Sequence, residues 1–569
     1  MNRLLLDVAI TVKSPFLFPD VGAGAFGLDR IALRNGQNTP IIPQGQVRGI
    51  LLHACADAAR AMQKKQTLRF DIFGRVSAEA RPEAGDTPVP REAFAPKRGR
   101  ILFSDLVMQG RHAEAMSSRV SIDPDLGAAD EGKLMFVELV APPGQDVVFS
   151  GTAVLHASDA EAKEWLPLLS AAASWVSAVG AMKSAGFGEV VAFSVKERAR
   201  TPLAPAKAVS RSGRQGYVLR FDRPFLLDAR RAADNVYVGQ PVVPGAVIKG
   251  ALAHKAALRG AAKRLEAALS VLAISHARVE GAGPQVPLSM VIAHDGSAVG
   301  DALLVPMGQG AVIHDQPARW SADWKPADEA RVRSALGLVA APSLGRSVRT
   351  HVSIDPETGS ALRGKLFVTD AVDPGNRAWH FTVDYDRIAD KDARAELAAL
   401  LEGGLDGLGR TEASASLEPC AAPALPAVVP VHGFPDHFAV VLESDAVMAG
   451  PDDDSDSFSA YARWWARVLP GATLVSFSAR QRLAGGYLAR RYGDGDVYSP
   501  FCLTEGGSVF LLKGNLAAPL AQLTARNLPS PLIDGRPSTW QTCPFQPENG
   551  YGAIRCDHDA RLQSGVTHG

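Results

Sequence analysis

The chain has no excess charge of either sign: 60 Lys and Arg stand against 60 Asp and Glu in 569 residues. Proteins that hold polyanions without regard to sequence carry a basic face, so the balance argues against that class and leaves room only for a local basic groove. Cysteine is scarce. Cys55, Cys420, Cys502, Cys543 and Cys556 show no CxxC spacing, which disfavours a zinc ribbon or a disulfide framework, and free thiols in a large chain point to a reducing cytoplasm. No apolar run reaches the roughly 18 residues of a membrane span. The N-terminal run in MNRLLLDVAITVKSP is interrupted by Asp7 and reads as a strand rather than a signal peptide. No membrane partner is therefore expected.

What the sequence does contain is a long internal repeat. Val-Ser-Ile-Asp-Pro occurs at 120–124 and returns 232 residues later at 352–356. Each copy is followed by a glycine (Gly127, Gly359) and then by Gly-Lys-Leu ahead of an apolar run. Three more landmarks recur in the same order. Pro15-Phe16-Leu17 matches Pro224-Phe225-Leu226, Pro43-QGQV-Arg48-Gly49 matches Pro244-GAVI-Lys249-Gly250, and Gly186-Phe187-Gly188 matches Gly407-Leu408-Gly409. Such a repeat predicts two like domains. Changing offsets mark surface insertions, the main ones at 76–100 and 262–345.

Along the first copy, apolar patterning predicts a strand over 4–11, a helix over 46–65, a turn at 70–74, strands over 100–106, 134–141 and 147–155, a helix over 161–179 and a strand over 190–196. That order is the order of an α+β, ferredoxin-like (RRM-like) domain. The expected division is a first domain at 1–198, a basic linker at 199–215, a second domain at 216–417, a Pro/Ala-rich linker at 418–435 and a partial copy at 436–569, which ends in its own turn, Gly550-Tyr551-Gly552.

Glycines at a helix start or tight turn expose backbone N–H groups that suit an anion. Gly45, Gly49, Gly245 and Gly250, with Arg48 and Lys249 beside them, are read as phosphate contacts. Lys183, Gly186 and Gly188 form a second such set, echoed by Gly407 and Gly409. Asp123 and Asp355, inside the repeated pentapeptide, read as turn caps. The acidic run 452–456 reads as a solvated loop.

The ordered landmarks resemble the RAMP superfamily, the RNA-binding backbone proteins of CRISPR effector complexes. The residues that carry the likeness are the Gly-rich loop 21–27, Ile42-PQGQVRG and Val243-PGAVIKG, Phe73-Gly74, the VSIDP segments and the terminal Gly-Phe-Gly loop. The likeness is to Cas-seven-type subunits of type III complexes of the Csm and Cmr kind, fused in tandem. The tail, with GGY, GSVFLL and PSTWQTCPFQPENGYGAI, resembles the C-terminal half of a RAMP subunit of the III-D branch. The resemblance implies binding of guide crRNA, with Arg119 along the RNA path, and cleavage of complementary single-stranded target RNA, in company with other effector subunits. It places the cleaving carboxylate on the loop between the first strand and the first helix. There Ala25-FGL-Asp29-Arg30-IAL-Arg34 fits, with Asp234 as the second-copy candidate, and Mg2+ or another divalent ion as cofactor. A carboxylate beside a scissile phosphate can take the proton of an attacking 2′-hydroxyl or hold such an ion. Two other readings stay open: a non-catalytic crRNA-binding scaffold, and a guide-processing endoribonuclease, for which no His cluster with Tyr or Lys is present. The RRM aromatic signature is also absent.

Overall fold

The computed structural model describes every residue except 21–26, 76–96, 112, 114, 124, 204–209, 229, 234, 355–360, 449–455, 486–499, 534, 561–565 and 569. Asp234, Asp355, most of the 76–100 insertion and most of the acidic run therefore lie outside the described residues.

Strand β1 (Asn2–Lys13) buries Leu4, Leu6, Val8, Ile10 and Val12 on one face, each at most 2% exposed. That strict alternation is what a half-covered antiparallel strand requires. There follow α1 (Gln44–Ala61), β2 (Ile101–Phe103), β3 (Leu106–Met108), a hairpin of β4 (Ala115–Arg119) and β5 (Met135–Leu139), then β6 (Asp146–Ala157), α2 (Asp159–Trp175) and β7 (Glu189–Pro202). The sheet runs β7-β1-β6, with β2 and β3 both on the far side of β6, all antiparallel. A capping box between Ser158 and Glu161 starts α2, which fixes its entry angle. The expected turn at 70–74 is a short helix, Leu68–Phe73, because Ile72 and Phe73 are drawn fully into the core.

The second unit repeats the plan with β8 (Arg214–Phe221), β9 (Val236–Val238), α3 (Gly245–Leu258), α4 (Ala262–Val271), β10 (Ala273–Ile274), β11 (Arg278–Val279), the hairpin β12 (Gly345–Ile354) and β13 (Ala361–Asp373), then β14 (Trp379–Asp384), α5 (Lys391–Glu402) and β15 (Ala413–Cys420). Its sheet runs β15-β8-β14, with β10 and β11 pairing to β14. The expected insertion thus begins later than residue 262. Leu265, Leu269, Ile274 and Val279 belong to the core of the second unit.

The C-terminal unit, expected as a partial copy, carries all six core elements: β16 (His437–Leu442), α6 (Ser457–Val468), β17 (Thr473–Ser478), β18 (Val509–Lys513), α7 (Ala517–Arg526) and β19 (Ile554–Arg555). Its sheet order, β19-β16-β18-β17, is that of the first unit. Unlike β1, β16 is buried on both faces. Ala439 and Val441, with Val509 and Leu511 of β18, pack against Leu303 of the 281–345 segment, and His558 meets Asp301 at 2.6 Å with both side chains buried. That covering explains the continuous apolar run His437-FAVVL.

The basic stretch expected as a linker is partly sheet. β7 continues to Pro202, opposite Asn2, and its cations are matched: Arg198 with Asp7, and Arg200 with Asp159 and Glu197. Among the described residues, no helix is long and apolar enough to cross a membrane.

Candidate nucleic-acid interface

Asp29 is exposed, yet its position is fixed. Its backbone N–H donates to Phe136 O at 3.0 Å, and its Oδ2 accepts from Phe136 N at 2.7 Å. The loop beyond it is pinned to the same strand. Arg30 bridges Val137 in parallel, Ala32 N donates to Glu138 Oε2 at 2.7 Å, and Arg34 pairs with Glu138 at 2.6 Å. The carboxylate thus stands at the base of the β4–β5 hairpin.

Arg119 pairs with Met135 across that hairpin, one residue from Phe136. Its guanidinium lies 4.9 Å from the ring centroid of Phe187, and Phe187 packs with Leu17, Val137 and Leu139. Three predicted features therefore meet on one side of the first unit: the acid, the arginine before the repeated pentapeptide, and the terminal glycine turn. The turn is not an open anion nest, however. Gly188 is buried and donates its N–H to Pro15 O at 2.8 Å, and Gly186 donates to Lys183 O at 3.0 Å. Gly188 has φ +75°, and a Cβ there would strike Val179 O, whereas Gly186 has open space around it. Gly188→Ala should therefore cost several kcal/mol, well beyond the roughly 1–2 kcal/mol of a left-handed non-glycine residue alone. Gly186→Ala should cost only about that penalty. Urea midpoints of the two variants check this.

The helix starts have close partners within the chain. At α1, Gln44 N donates to Asp105 Oδ1 at 2.8 Å, and Asp105 is in turn held by both terminal nitrogens of Arg349 at 2.9 and 2.6 Å. Gln44 Nε2 reaches Thr411 O at 2.6 Å, and Arg48 donates to Phe73 O with Glu412 close by. At α3, Gly245 N donates to His276 Nδ1 at 3.1 Å and a Cβ on Gly245 would meet Asn549 O. Lys249 is half-buried. Burial pulls its ammonium down to about 8, with Glu548 opposing. Arg48, Gly245 and Lys249 thus lie close to junctions between units, beside the Phe73 carbonyl, His276, Glu412 and Glu548 of this chain. Gly45 and Gly250 are exposed and Gly49 is half-exposed. Gly407 is buried under Arg98 of the first unit, and Gly409 backs onto Leu226 O.

Lys249→Met checks this assignment. If the lysine serves the junction, RNA affinity should stay within about twofold of wild type. Its folded pKa lies below the unfolded value, so the unfolded chain binds more protons between about pH 8 and 10.5 and wild-type stability should gain from this group across that window. The variant should lose part of that gain, and Lys255, also lowered to about 8 by burial, should retain the rest. Urea titrations at pH 7.5 and 10 measure it.

The family model for the RAMP superfamily matches residues 9–191. The match covers the first unit, from within β1 to the start of β7, and so includes Asp29, Arg119 and the Lys183–Gly188 turn. No curated protein matches the chain. Among solved structures, the chain is similar to a subunit of the type III-B Cmr-beta complex bound to cognate target RNA, at 17% identity and TM-score 0.24, covering 35% of this chain and 62% of that one. It is also similar to a subunit of the same kind of complex bound to cognate target RNA and AMPPnP, at 10% identity and TM-score 0.30, covering 60% of this chain and 99% of that one. The chain thus spans less than two thirds of the first of these subunits.

Sheet register relates the second unit to the first residue by residue. The repeat aligns Val137 of β5 with Thr369 of β13. Arg30 lies beside Val137, and Tyr237 of β9 lies beside Thr369, both in parallel. The counterpart of Asp29 is therefore Val236, not the acid two residues earlier. Asp234 itself lies outside the described residues. Sequence reading also missed the partners of the site: Phe136 N, and Arg410, whose guanidinium lies 4.5 Å from the Tyr237 ring. Basic and aromatic residues recurring near the same landmarks were the available signal.

Proposed function

We propose that the chain is a backbone subunit of a type III CRISPR effector complex that holds guide crRNA along its two long hairpins and cleaves complementary target RNA beside Asp29. The observation that carries this reading is the placement of an exposed carboxylate, fixed through two hydrogen bonds to Phe136, at the foot of a hairpin suited to single-stranded RNA. That hairpin and the loop joining its strands expose Met116, Ile122, Leu126 and Leu134 beside Lys133, and the second hairpin exposes Val348, Leu362 and Leu366 beside Arg363. Apolar side chains next to cations can wedge between or stack on bases while the charge meets phosphate. Target choice then comes from base pairing with the guide.

In this mechanism the hairpin unstacks the target and turns one 2′-hydroxyl toward its own phosphate. Asp29 takes the hydroxyl proton as the oxygen attacks phosphorus in line. The P–O5′ bond breaks and the leaving O5′ takes a proton from water, giving a 2′,3′-cyclic phosphate and a 5′-hydroxyl. Among the described residues, no group of three or more His, Cys, Asp or Glu is placed to hold a metal. Asp29 therefore fits Mg2+ only as a single carboxylate ligand shared with RNA phosphate and water, a common mode for that ion. Bound there, the ion would neutralise charge on the phosphoryl oxygens. The test is the assembled complex with end-labelled target RNA in Mg2+ or in EDTA. Discrete Mg2+-dependent cuts support the reading, and an assembly that carries no RNA defeats it.

A further inference from the structure

The terminal turns of the first and third units share one conformation. Lys183–Ala185 and Pro547–Asn549 are each a single 3-10 turn closed by a left-handed glycine, Gly186 at φ 81° and Gly550 at φ 91°. Their hydrogen bonds correspond: Gly186 N to Lys183 O at 3.0 Å and Gly550 N to Pro547 O at 3.1 Å, then Phe187 N to Met182 O and Tyr551 N to Gln546 O, both at 3.3 Å. Their surroundings differ. Pro547, Asn549 and Gly550 are buried, whereas Lys183 through Gly186 are all exposed.

The buried turn shows what such a turn is shaped to meet. It sits on the N-terminus of α3, where Asn549 O backs onto Gly245, the Tyr551 ring stands perpendicular to His276 at 4.7 Å, and Glu548 faces Arg387 and Lys249. The second unit's turn does the same to the first unit, with Gly407 under Arg98, Thr411 O on Gln44 and Glu412 near Arg48. Both α1 and α3 open after a proline that offers no side-chain cap; Asp105 and His276 of the same unit each meet only the first N–H, and the following unit covers the rest of each helix start. The first unit's turn is the one of the three left bare. A second copy of this chain offers it no matching seat. Its α1 and α3 starts are already covered, and its α6 is capped internally, Asp456 accepting from Ser459 N at 3.0 Å.

We propose that the Lys183–Gly186 turn is the docking surface for a different protein subunit, one that presents a helix N-terminus with a carboxylate in its first turn. The charge follows from position. Where the third unit's turn carries Glu548 against cations, the first carries Lys183 and Ser184 with Arg119 behind them, so the opposing group is an acid, which a helix N-terminus also favours. The inference goes beyond the RNA reading and does not rest on cleavage.

The test uses the full chain in the effector assembly purified from cells that produce it, with Ser184 replaced by the photo-crosslinking residue p-benzoylphenylalanine. The expected adduct maps, by peptide sequencing, to the first turn of a helix in another protein. Lys183→Glu should lower recovery of the chain in the assembly by about tenfold, since like charges set against each other in an interface are strongly unfavourable. The melting temperature of the free chain should not change, because exposed substitutions seldom move it. Adducts on RNA, adducts on a second copy of this chain, or wild-type recovery of Lys183→Glu would each overturn the proposal.

Discussion

Asp29→Ala should slow target cleavage at one position by at least about 100-fold while leaving crRNA content and target affinity within about twofold. The magnitude follows from the role: a positioned general base contributes on the order of 10²–10⁴ in rate. Affinity should persist because binding is spread over two hairpins and the guide duplex. The substitution also removes the acceptor that holds Phe136 N at 2.7 Å, so a loss could come from a shifted loop. Asp29→Asn separates the two causes. Its amide oxygen can still accept from Phe136 N but cannot take a proton at neutral pH, so it should be as inactive as the alanine variant. An active Asn variant would make Asp29 a positioning residue. Cutting at every position in both variants would leave the chain a scaffold.

Asp406→Ala carries the largest expected effect on stability. Asp406 joins the first two units, accepting from Arg3 at 2.9 and 3.1 Å, from His156 Nε2 at 3.1 Å and from Ser414 Oγ at 2.8 Å. Burial alone would push its carboxyl up, but hydrogen bonds from His156 and Arg3 outweigh it and hold the group below the usual carboxylate range. Removing the acid leaves Arg3 and His156 in a closed junction without it, a situation that typically costs about 3–5 kcal/mol. A multi-unit chain need not unfold in one step, so the expected result is a new early urea transition in which the first two units uncouple. Because the folded pKa is depressed, the stabilisation is complete above the ordinary Asp value of about 3.9 and fades only in stronger acid. The gap between variant and wild type should therefore be constant from pH 5 to 8. A single, unshifted transition would show that the junction is held by its other contacts.

Much of the architecture was legible because it depends on periodicity. The alternation in β1, the helical spacing of Val47, Leu51 and Ala58, and the repeated pentapeptide each report a local rule, and the structure obeys them. The completeness of the third core was harder to see. Its β16 has no alternation to read, since the 281–345 segment covers its outer face. The helix starts are ambiguous for an electrostatic reason. A cation after a proline and glycines signals an anion, but sequence does not say whether that anion is an RNA phosphate or a carboxylate of the next unit. Glu412 and Glu548, each close to a terminal glycine turn, were the available clue. The register of Asp29 depends on a parallel bridge to a strand more than 100 residues away, and no local pattern encodes it.

Beside the apolar packing of Leu303 on β16, the contacts that join the three units include several ion pairs: Arg349 with Asp105, Arg278 with Glu443, Arg387 with Glu548. Free partners meeting through such charges would lose affinity as salt rises. Here the polypeptide itself holds the facing surfaces at something like millimolar effective concentration, so the ion pairs stay closed where free partners would part. The tether also fixes a ratio. Wherever the chain goes, its two long hairpins arrive together, in one order, and are counted in pairs.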